Sequence, residues 1–254
     1  MELTFELLFI LFAVSILAGF IDSICGGGGL LALPVLMISG LTPAQALATN
    51  KLQAIFGKLS SVLYFYKHGF IQLSLMKWSV VLCFIFAGLG AISIQYIPAD
   101  KLSQLIPWLI GLIALYILFS PRLGDVDNKQ RISVGMFCLI FAPIIGFYDG
   151  FFGPASGSFF AISLIAFLGF NATKATANSK LLLLVSNAAA LMAFIIGGQV
   201  VWLIGLVMAI GQWLGARYGS ELVHMQGNKI VKPMLLTVCF ITLGRFILGT
   251  GVAS

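Results

Sequence analysis

Apolar runs separated by short polar loops follow one another along the whole chain, and they define the predicted elements. Five runs precede a polar stretch at 120–131 and five follow it. They lie at roughly 3–21, 29–39, 44–66, 71–97 and 101–119, and then at roughly 132–150, 156–169, 173–197, 199–221 and 230–249. Most approach the length of about 20 residues that a helix needs to cross a bilayer. The pattern predicts an all-α polytopic membrane protein with about 8–10 crossings.

Composition identifies lipid as the solvent of these segments. Of the 254 residues, 60% are hydrophobic and only 9% are charged, and the mean hydropathy is +1.09. Soluble domains carry about 25% charged residues. A soluble fold of this length could not hide so many apolar side chains, because much of any folded surface faces water. The lipid bilayer is therefore an expected partner.

Two blocks of the first half recur in the same order in the second half. One block aligns GFIDSICGGG (19–28) with GFYDGFFGPA (146–155), and the other aligns GLTPAQALATNKL (40–52) with GFNATKATANSKL (169–181). Chance similarity between apolar segments would not align Asp, Gly and Lys together, so we infer a duplication. The predicted parts are repeat 1 at 1–119, a polar cytoplasmic linker at 120–131 and repeat 2 at 132–254.

The second apolar run of each repeat is too short to cross a bilayer as a straight helix. In repeat 1 it follows the glycines Gly26–Gly29, and in repeat 2 it follows FGPASGS at 152–158. Short segments interrupted by Gly or Pro at matching places in two halves indicate the central site of a transporter. Irregular backbone at membrane depth needs surrounding protein or a water-filled cavity. We therefore expect a binding site at the membrane midplane between the repeats.

Basic loop residues predict the orientation, because Lys and Arg collect on the cytoplasmic side of a membrane. If every segment changes sides, the basic loops near Lys67, Arg131, Lys174 and Lys229 all fall on one face. Five crossings per repeat is an odd number, so the repeats are predicted to be inverted, with both termini outside. The alternative makes the short segments re-entrant, leaves parallel repeats with four crossings each, and places Lys229 outside.

A carboxylate precedes each Gly-rich turn, Asp22 in repeat 1 and Asp149 in repeat 2. A carboxylate within a membrane segment costs about 2.5–3.5 kcal/mol on insertion scales, so it needs a partner or water. Each aspartate can cap the backbone N–H groups of the following turn. Each can instead accept a proton or cation that couples transport. Both interpretations stay open at the level of the sequence.

Two lysines, Lys51 and Lys180, lie about two turns inside their segments, or about 10 Å at 1.5 Å per residue. Each has a polar residue seven positions on, Lys58 and Asn187 respectively, on the same helix face. An ammonium group at that depth can hold an anionic ligand or pair with one of the aspartates. The alternative is that the side chain snorkels to the membrane interface.

Gly-rich turns at helix starts predict an anion site, because free N–H donors and the helix dipole point the same way. Close helix packing is the alternative and also needs small residues, although four consecutive glycines exceed what packing demands. Polar side chains near the deep lysines can donate hydrogen bonds without adding charge. The candidate substrate-binding residues are Gly26, Gly27, Gly28, Gly29, Asn50, Lys51, Gln53, Gly153, Ser156, Gly157, Asn178, Lys180 and Asn187.

Charge and cysteine usage narrow the function further. The net charge of +6 is spread over loops and helices, which favours a bias toward the cytoplasmic leaflet over nucleic-acid binding. The four cysteines stand alone in apolar surroundings and are predicted to be buried thiols. The sequence has no Cys/His metal pattern and no GxxxxGK[ST] motif. We therefore expect no metal, no other cofactor, no enzymatic activity and no primary pump.

The paired motifs resemble one known family. They are GFIDSICGGGGLLALPVLMISGLTPAQALATNKLQA (19–54), GFYDGFFGPASGSF (146–159), KATANSKL (174–181) and GQWLGARYGS (211–220). In this order they resemble the TauE/SafE family of sulfite and organosulfur-anion exporters, in particular its YfcA-like bacterial inner-membrane members. The resemblance covers nearly the whole chain and implies a multi-pass transporter of a small anion. By position, it implies a site formed by the Gly26–Gly29 and Gly153–Gly157 turns with Asn50, Lys51 and Lys180.

The predicted function is secondary transport of a small anion, of the sulfite or sulfoacetate type, across the bacterial inner membrane. Duplicated broken segments favour alternating access over a fixed pore. A passive anion channel and a proton-coupled permease for another small metabolite are the alternatives. The small anion and the lipid bilayer are the expected partners. A homodimer is the candidate assembly.

Overall fold

Helices make up all the regular structure in the part of the chain that the computed structural model describes, residues 4–98, 101, 129–227 and 229–230. These are α1 (Phe5–Cys25), α2 (Gly28–Ile38), α3 (Pro43–Lys67), α4 (Leu73–Gln95), α5 (Val134–Phe151), α6 (Ser156–Leu168), α7 (Ala172–Ile196) and α8 (Trp202–Gln226). The all-α prediction is confirmed for this part. Apart from residues 101 and 230, the fifth segments predicted at 101–119 and 230–249 lie outside the described residues, as does the linker up to residue 128.

Polar residues fix where four of these helices begin. Thr4, Thr42, Ser133 and Asn171 each accept a hydrogen bond from a backbone N–H in the first turn of their helix. At Thr42 the Gln45 side chain also bonds back to the cap, which completes a capping box. Such caps satisfy N–H groups that have no partner within the helix and contribute about 1 kcal/mol each. Local sequence therefore sets the helix starts.

The helices differ in length in the way that the apolar runs predicted. Four of them, α1, α4, α5 and α7, are long and apolar enough to cross a membrane. In contrast, α2 and α6 have only 11 and 13 residues. They measure about 16–20 Å at 1.5 Å per residue, against a hydrocarbon core of about 30 Å. Neither short helix can cross the membrane as a straight segment.

Large apolar side chains cover the outside of the bundle, and many polar side chains are buried inside it. For example, α4 exposes Trp78, Phe84 and Leu89 and buries Ser79. This distribution suits a lipid solvent, because lipid does not drive apolar side chains into the core. The predicted burial of the thiols is confirmed for Cys25, Cys83 and Cys138. The fourth cysteine, Cys239, lies outside the described residues.

The first and third helices of each repeat pack on the fourth helix of the other repeat. The helix pair α1 and α8 packs together, as does the counterpart pair α5 and α4, while α3 packs on α8 and α7 packs on α4. The glycines Gly211, Gly215 and Gly219, spaced four residues apart on α8, form its side of the contact with α1. A Cβ added to Gly211 or Gly219 would lie 2.7 or 2.6 Å from the backbone oxygen of Phe12 or Phe20. Each repeat therefore packs mainly against the other.

The ends of α3 and α8 show that these two helices run in the same direction. At their C-terminal ends the Tyr64 hydroxyl lies 2.9 Å from Nδ1 of His224. At their N-terminal ends the Val201 N–H donates to Oγ1 of Thr49, at 3.1 Å. Inverted repeats require this shared direction, whereas parallel repeats would make α3 and α8 antiparallel. The face of the membrane on which each end lies stays a prediction.

Candidate functional site

Two breaks in the helices bring the backbones of the repeats into contact. The first follows α1, whose C-cap residue Gly26 has a left-handed φ of 77°. The second precedes α6, where Ala155 is also left-handed, with a φ of 61°. A Cβ added to Gly26 would lie 2.6 Å from the Cα of Gly157, and one added to Gly157 would lie 2.7 Å from the Cα of Gly26. Close contact between the breaks thus explains two of the predicted glycines.

The Asp22 carboxylate lies in the last turn of α1 and faces two lysines. The Lys58 ammonium on α3 lies 3.2 Å from Oδ2 of Asp22. The Lys180 ammonium on α7 lies 3.8 Å from the same oxygen and donates to the backbone oxygen of Asp22. One aspartate of repeat 1 is therefore held by a lysine from each repeat.

The Asp149 carboxylate lies in the last turn of α5 and faces one lysine and three neutral donors. The Lys51 ammonium lies 3.1 Å from Oδ2 and also donates to the backbone oxygen of Asp149. Oδ2 accepts hydrogen bonds from Ser186 at 2.5 Å and Asn187 at 2.9 Å, and Oδ1 accepts one from Ser156 at 2.5 Å. This carboxylate is fully satisfied within the protein.

The deep lysines pair across the repeats. Lys51 of repeat 1 holds Asp149 of repeat 2, and Lys180 of repeat 2 holds Asp22 of repeat 1. Both lysines are almost completely buried, with 2% and 1% of their surface exposed. The structure therefore shows ion pairing, rather than snorkelling, for both. With Lys58, three lysines face two carboxylates here in the described part of the chain, so the basic groups exceed the acidic ones by one.

A small cavity lies between the broken helices and these charged groups. Its volume is about 20 Å³, which is enough for about one water molecule. An anion the size of sulfite would need the helices to move apart. Of the predicted candidates, those that line the cavity are Asp22, Gly26, Gly29, Asn50, Lys51, Asp149, Gly153, Ser156 and Asn187. Lys58, Ala54 and Gln212 complete the lining.

Two of the other candidates, Gly157 and Lys180, line a separate small cavity, and three more, Gln53, Gly27 and Gly28, lie beside the first. Gln53 donates from Nε2 to Oδ1 of Asn50 at 3.0 Å, which leaves Nδ2 of Asn50 as its donor toward the cavity. Gly28 packs against Asp22, since an added Cβ would lie 2.6 Å from the Cβ of Asp22. Gly27 is the N-cap residue of α2. These residues shape the cavity wall from behind.

Asn178 lies away from the cavity. Its Nδ2 donates to the backbone oxygen of Phe70 at 3.1 Å, and its Oδ1 accepts from the Gln72 N–H at 3.0 Å. These bonds attach the loop between α3 and α4 to α7. Sequence reasoning grouped Asn178 with the site because it precedes Lys180 by two residues, but positions two apart do not share a helix face.

Gln212 is a cavity residue that the sequence analysis did not select. Its side chain reaches from α8 into the space beside Gly19 and Gly57, is 2% exposed, and lacks a hydrogen-bond partner for Oε1 among the described residues. Buried amides are nearly always hydrogen-bonded, so an orphan in a cavity wall indicates a ligand or a water. The signal in the sequence was a lone amide on an apolar helix, next to the packing glycine Gly211.

The arrangement suits an anion more than a cation. Lysine ammonium groups act strongly in a low-dielectric interior, and one of them exceeds the carboxylates in number. Neutral amides from Asn50 and Gln212 add hydrogen-bonding capacity without charge. Among the described residues, no group of three or more His, Cys, Asp or Glu side chains is placed to hold a metal ion.

Sequence comparison now adds the family. A family model described as "Sulfite exporter TauE/SafE" matches residues 11–246. The chain belongs to the TauE/SafE family. It is 50% identical over 232 residues to "Probable membrane transporter protein YfcA" of Escherichia coli, covering 91% of this chain and 86% of that protein. It is 41% identical over 251 residues to a "Probable membrane transporter protein" of Haemophilus influenzae, covering 99% and 98%. No solved structure matches the chain significantly.

Family and fold together assign the broad function. The chain is a multi-pass bacterial membrane transporter of the TauE/SafE family and not an enzyme. The resemblance to YfcA-like proteins inferred from the motifs is confirmed. The motifs that carried it contain Asp22, Lys51, Asp149 and Lys180, which form the buried ion pairs of the candidate site.

Proposed function

We propose that this protein is a secondary transporter of a small anion, namely a sulfur oxyanion or an organosulfonate of the sulfite or sulfoacetate type. It moves the anion across the bacterial inner membrane by alternating access between the two repeats. The observation that carries the proposal is a cavity at the contact of the two helix breaks that is lined by the buried lysines Lys51 and Lys58, with a third buried lysine, Lys180, held against the Asp22 of its wall.

The aspartates do not oppose this proposal. A free carboxylate would repel an anion, but Asp22 and Asp149 are each held by at least one lysine. The substrate therefore meets a site whose negative charge is already compensated. Proton uptake by an aspartate is not needed for an anion to enter.

Alternating access follows from where the ion pairs lie. Lys51–Asp149 and Lys180–Asp22 both join repeat 1 to repeat 2. An anion that binds the ammonium groups competes with the carboxylates for them and weakens the contacts between the repeats. Movement of the repeats can then open the cavity, which is now too small for sulfite.

Transport by purified protein in liposomes tests the proposal. We expect sulfite or an organosulfonate inside the vesicles to accelerate uptake of the labelled anion, while a sodium or choline salt of an inert anion does not. Lys51→Ala should lower the initial rate by about tenfold or more, because it removes a cavity ammonium. The matched control is Lys67→Ala, an exposed lysine at the C-terminal end of α3, which should transport normally.

Two results would contradict the proposal. Transport of a cation or a neutral solute, with every anion inactive, would leave the lysines as partners of the aspartates alone. Anion flux without any acceleration by anion on the opposite side would indicate a passive channel instead of alternating access.

A further inference from the structure

We infer that the cavity selects singly charged oxyanions over doubly charged ones, and that Lys58 supplies the charge that makes the selection. This inference rests on the proposed function and narrows its substrate: hydrogen sulfite and monosulfonates should bind better than the doubly charged sulfite, sulfoacetate and sulfate. Its basis is a difference between the repeats at one pair of equivalent positions.

The equivalent positions are Lys58 and Asn187, each seven residues after the deep lysine of its repeat. Nζ of Lys58 lies 3.2 Å from Oδ2 of Asp22, and Nδ2 of Asn187 lies 2.9 Å from Oδ2 of Asp149. Each side chain thus donates to the aspartate of its own repeat. The same contact is charged in repeat 1 and neutral in repeat 2.

This difference determines the charge of the cavity. Two carboxylates face three lysines among the described residues that line or contact the cavity, so one lysine is in excess, and Lys58 accounts for it because its counterpart in repeat 2 is the neutral Asn187. Lys58 is itself buried, with 6% of its surface exposed, so bulk water screens this charge little.

Charge balance then discriminates between ligands. A monoanion brings the buried cluster to neutrality, whereas a dianion replaces one excess positive charge with one excess negative charge. An uncompensated charge in the interior is unfavourable in either sign. The bound monoanion therefore receives the full electrostatic stabilisation from Lys58. For a dianion, the cost of its second, uncompensated charge offsets part of that stabilisation.

Methanesulfonate and sulfate are suitable probes, because both are small tetrahedral sulfur anions and differ by one charge at slightly alkaline pH. Binding to the purified full-length protein is measured by calorimetry. We expect methanesulfonate to bind at least about tenfold more tightly than sulfate. Lys58→Asn makes the repeats alike at this position and should weaken methanesulfonate binding by about tenfold or more.

The reciprocal variants separate net charge from position. Asn187→Lys adds a second excess charge and should shift the preference toward sulfate. Lys58→Asn with Asn187→Lys keeps one excess charge, moves it from Asp22 to Asp149, and should restore the preference for methanesulfonate. Circular dichroism and size-exclusion chromatography identify variants that fold. If a reciprocal variant does not fold, the wild-type protein and Lys58→Asn alone decide.

The outcomes are distinct. Sulfate binding as tightly as methanesulfonate to the wild-type protein would overturn the charge selection and leave anion transport intact. Methanesulfonate binding that is unchanged in Lys58→Asn would show that Lys58 does not supply the selecting charge. Binding of neither anion would overturn the selection, and the proposed function would fall with it only if sulfite and sulfoacetate also failed to bind.

Discussion

At the scale of single residues, the site is a set of buried charges that satisfy one another across the repeats. Lys51 contributes the only ammonium group that contacts Asp149 among the described residues, whereas Asp22 is shared by Lys58 and Lys180. Loss of one partner of a buried pair leaves a charge that neither water nor lipid can stabilise. The two aspartates should therefore differ in how strongly they depend on a single lysine.

The stability of Lys51 variants tests this dependence. Lys51→Ala leaves Asp149 with neutral donors only and should lower the free energy of unfolding by about 3–5 kcal/mol. Adding Asp149→Asn removes the uncompensated charge, so the double variant should recover much of the stability while transport stays impaired. Thermal unfolding of the purified protein in detergent measures both. Equal stability of Lys51→Ala and the exposed control Lys67→Ala would contradict the pairing.

At the scale of helices, glycines on two helices admit a side chain from a third. Gly57 on α3 and Gly19 on α1 face Gln212 on α8, and an added Cβ would lie 2.6 and 2.9 Å, respectively, from its Oε1. The added Cβ on Gly19 would also lie 2.9 Å from the backbone Cα of Gln212. Gly57 is therefore the position where a substitution affects mainly the amide.

We expect Gly57→Ala to weaken substrate binding by displacing the Gln212 amide from the cavity wall. Gly57→Ala with Gln212→Ala should relieve the steric conflict and restore thermal stability without restoring affinity. Gly88→Ala on α4 is the control, since its added Cβ would meet only the Cβ of Ala189, at 4.0 Å. Affinity for the transported anion and the unfolding temperature are measured for each variant. Normal affinity in Gly57→Ala would remove Gln212 from the site.

Sequence patterns located the helices well and their ends less well. The apolar run at 173–197 corresponds closely to α7, but the run at 199–221 became α8 at Trp202–Gln226. Val201 is apolar yet extended, as the N-cap of α8. The helix continues past residue 221 because polar residues such as His224 pack against α3. Apolar runs mark lipid contact, and helices extend beyond it.

The site could be predicted only in part for a related reason. Paired motifs identified Asp22, Asp149, Lys51 and Lys180 as membrane-embedded charges, because duplication made them stand out. The partner of each lysine depends on which helices meet, and that is decided by tertiary packing. Gln212 has no equivalent residue in the duplicated motifs. Nothing in the sequence pattern therefore distinguished it from the residues of an ordinary helix-packing face.

At the scale of the whole molecule, the shared direction of α3 and α8 constrains the topology. The rings of His68 and His224 at their C-terminal ends are 4.7 Å apart, so these two ends lie on one side of the bundle. Similarly, Nε2 of Gln95 lies 3.4 Å from the backbone oxygen of Ala193, which places the ends of α4 and α7 together.

Single cysteines test the inverted arrangement in intact cells. Ser39→Cys and Gln199→Cys should both react with a membrane-impermeant maleimide added outside, while His68→Cys and Gln226→Cys should be protected until the membrane is disrupted. The wild-type protein is the control, because its described native thiols are buried. Labelling of Ser39→Cys and Gln226→Cys from the same side would favour parallel repeats instead.

The reciprocal lysine–aspartate pairs also bear on how such a protein arose. A single ancestral repeat with both residues could not close these pairs within itself, because each lysine reaches the aspartate of the other half. Two copies inserted in opposite orientations would have closed both pairs at once and formed a symmetric dimer. Such a dimer gives identical residues at the positions of Lys58 and Asn187. If the predicted repeats arose in this way, fusion of the two copies is the step that would have let these positions diverge and the cavity acquire an odd charge.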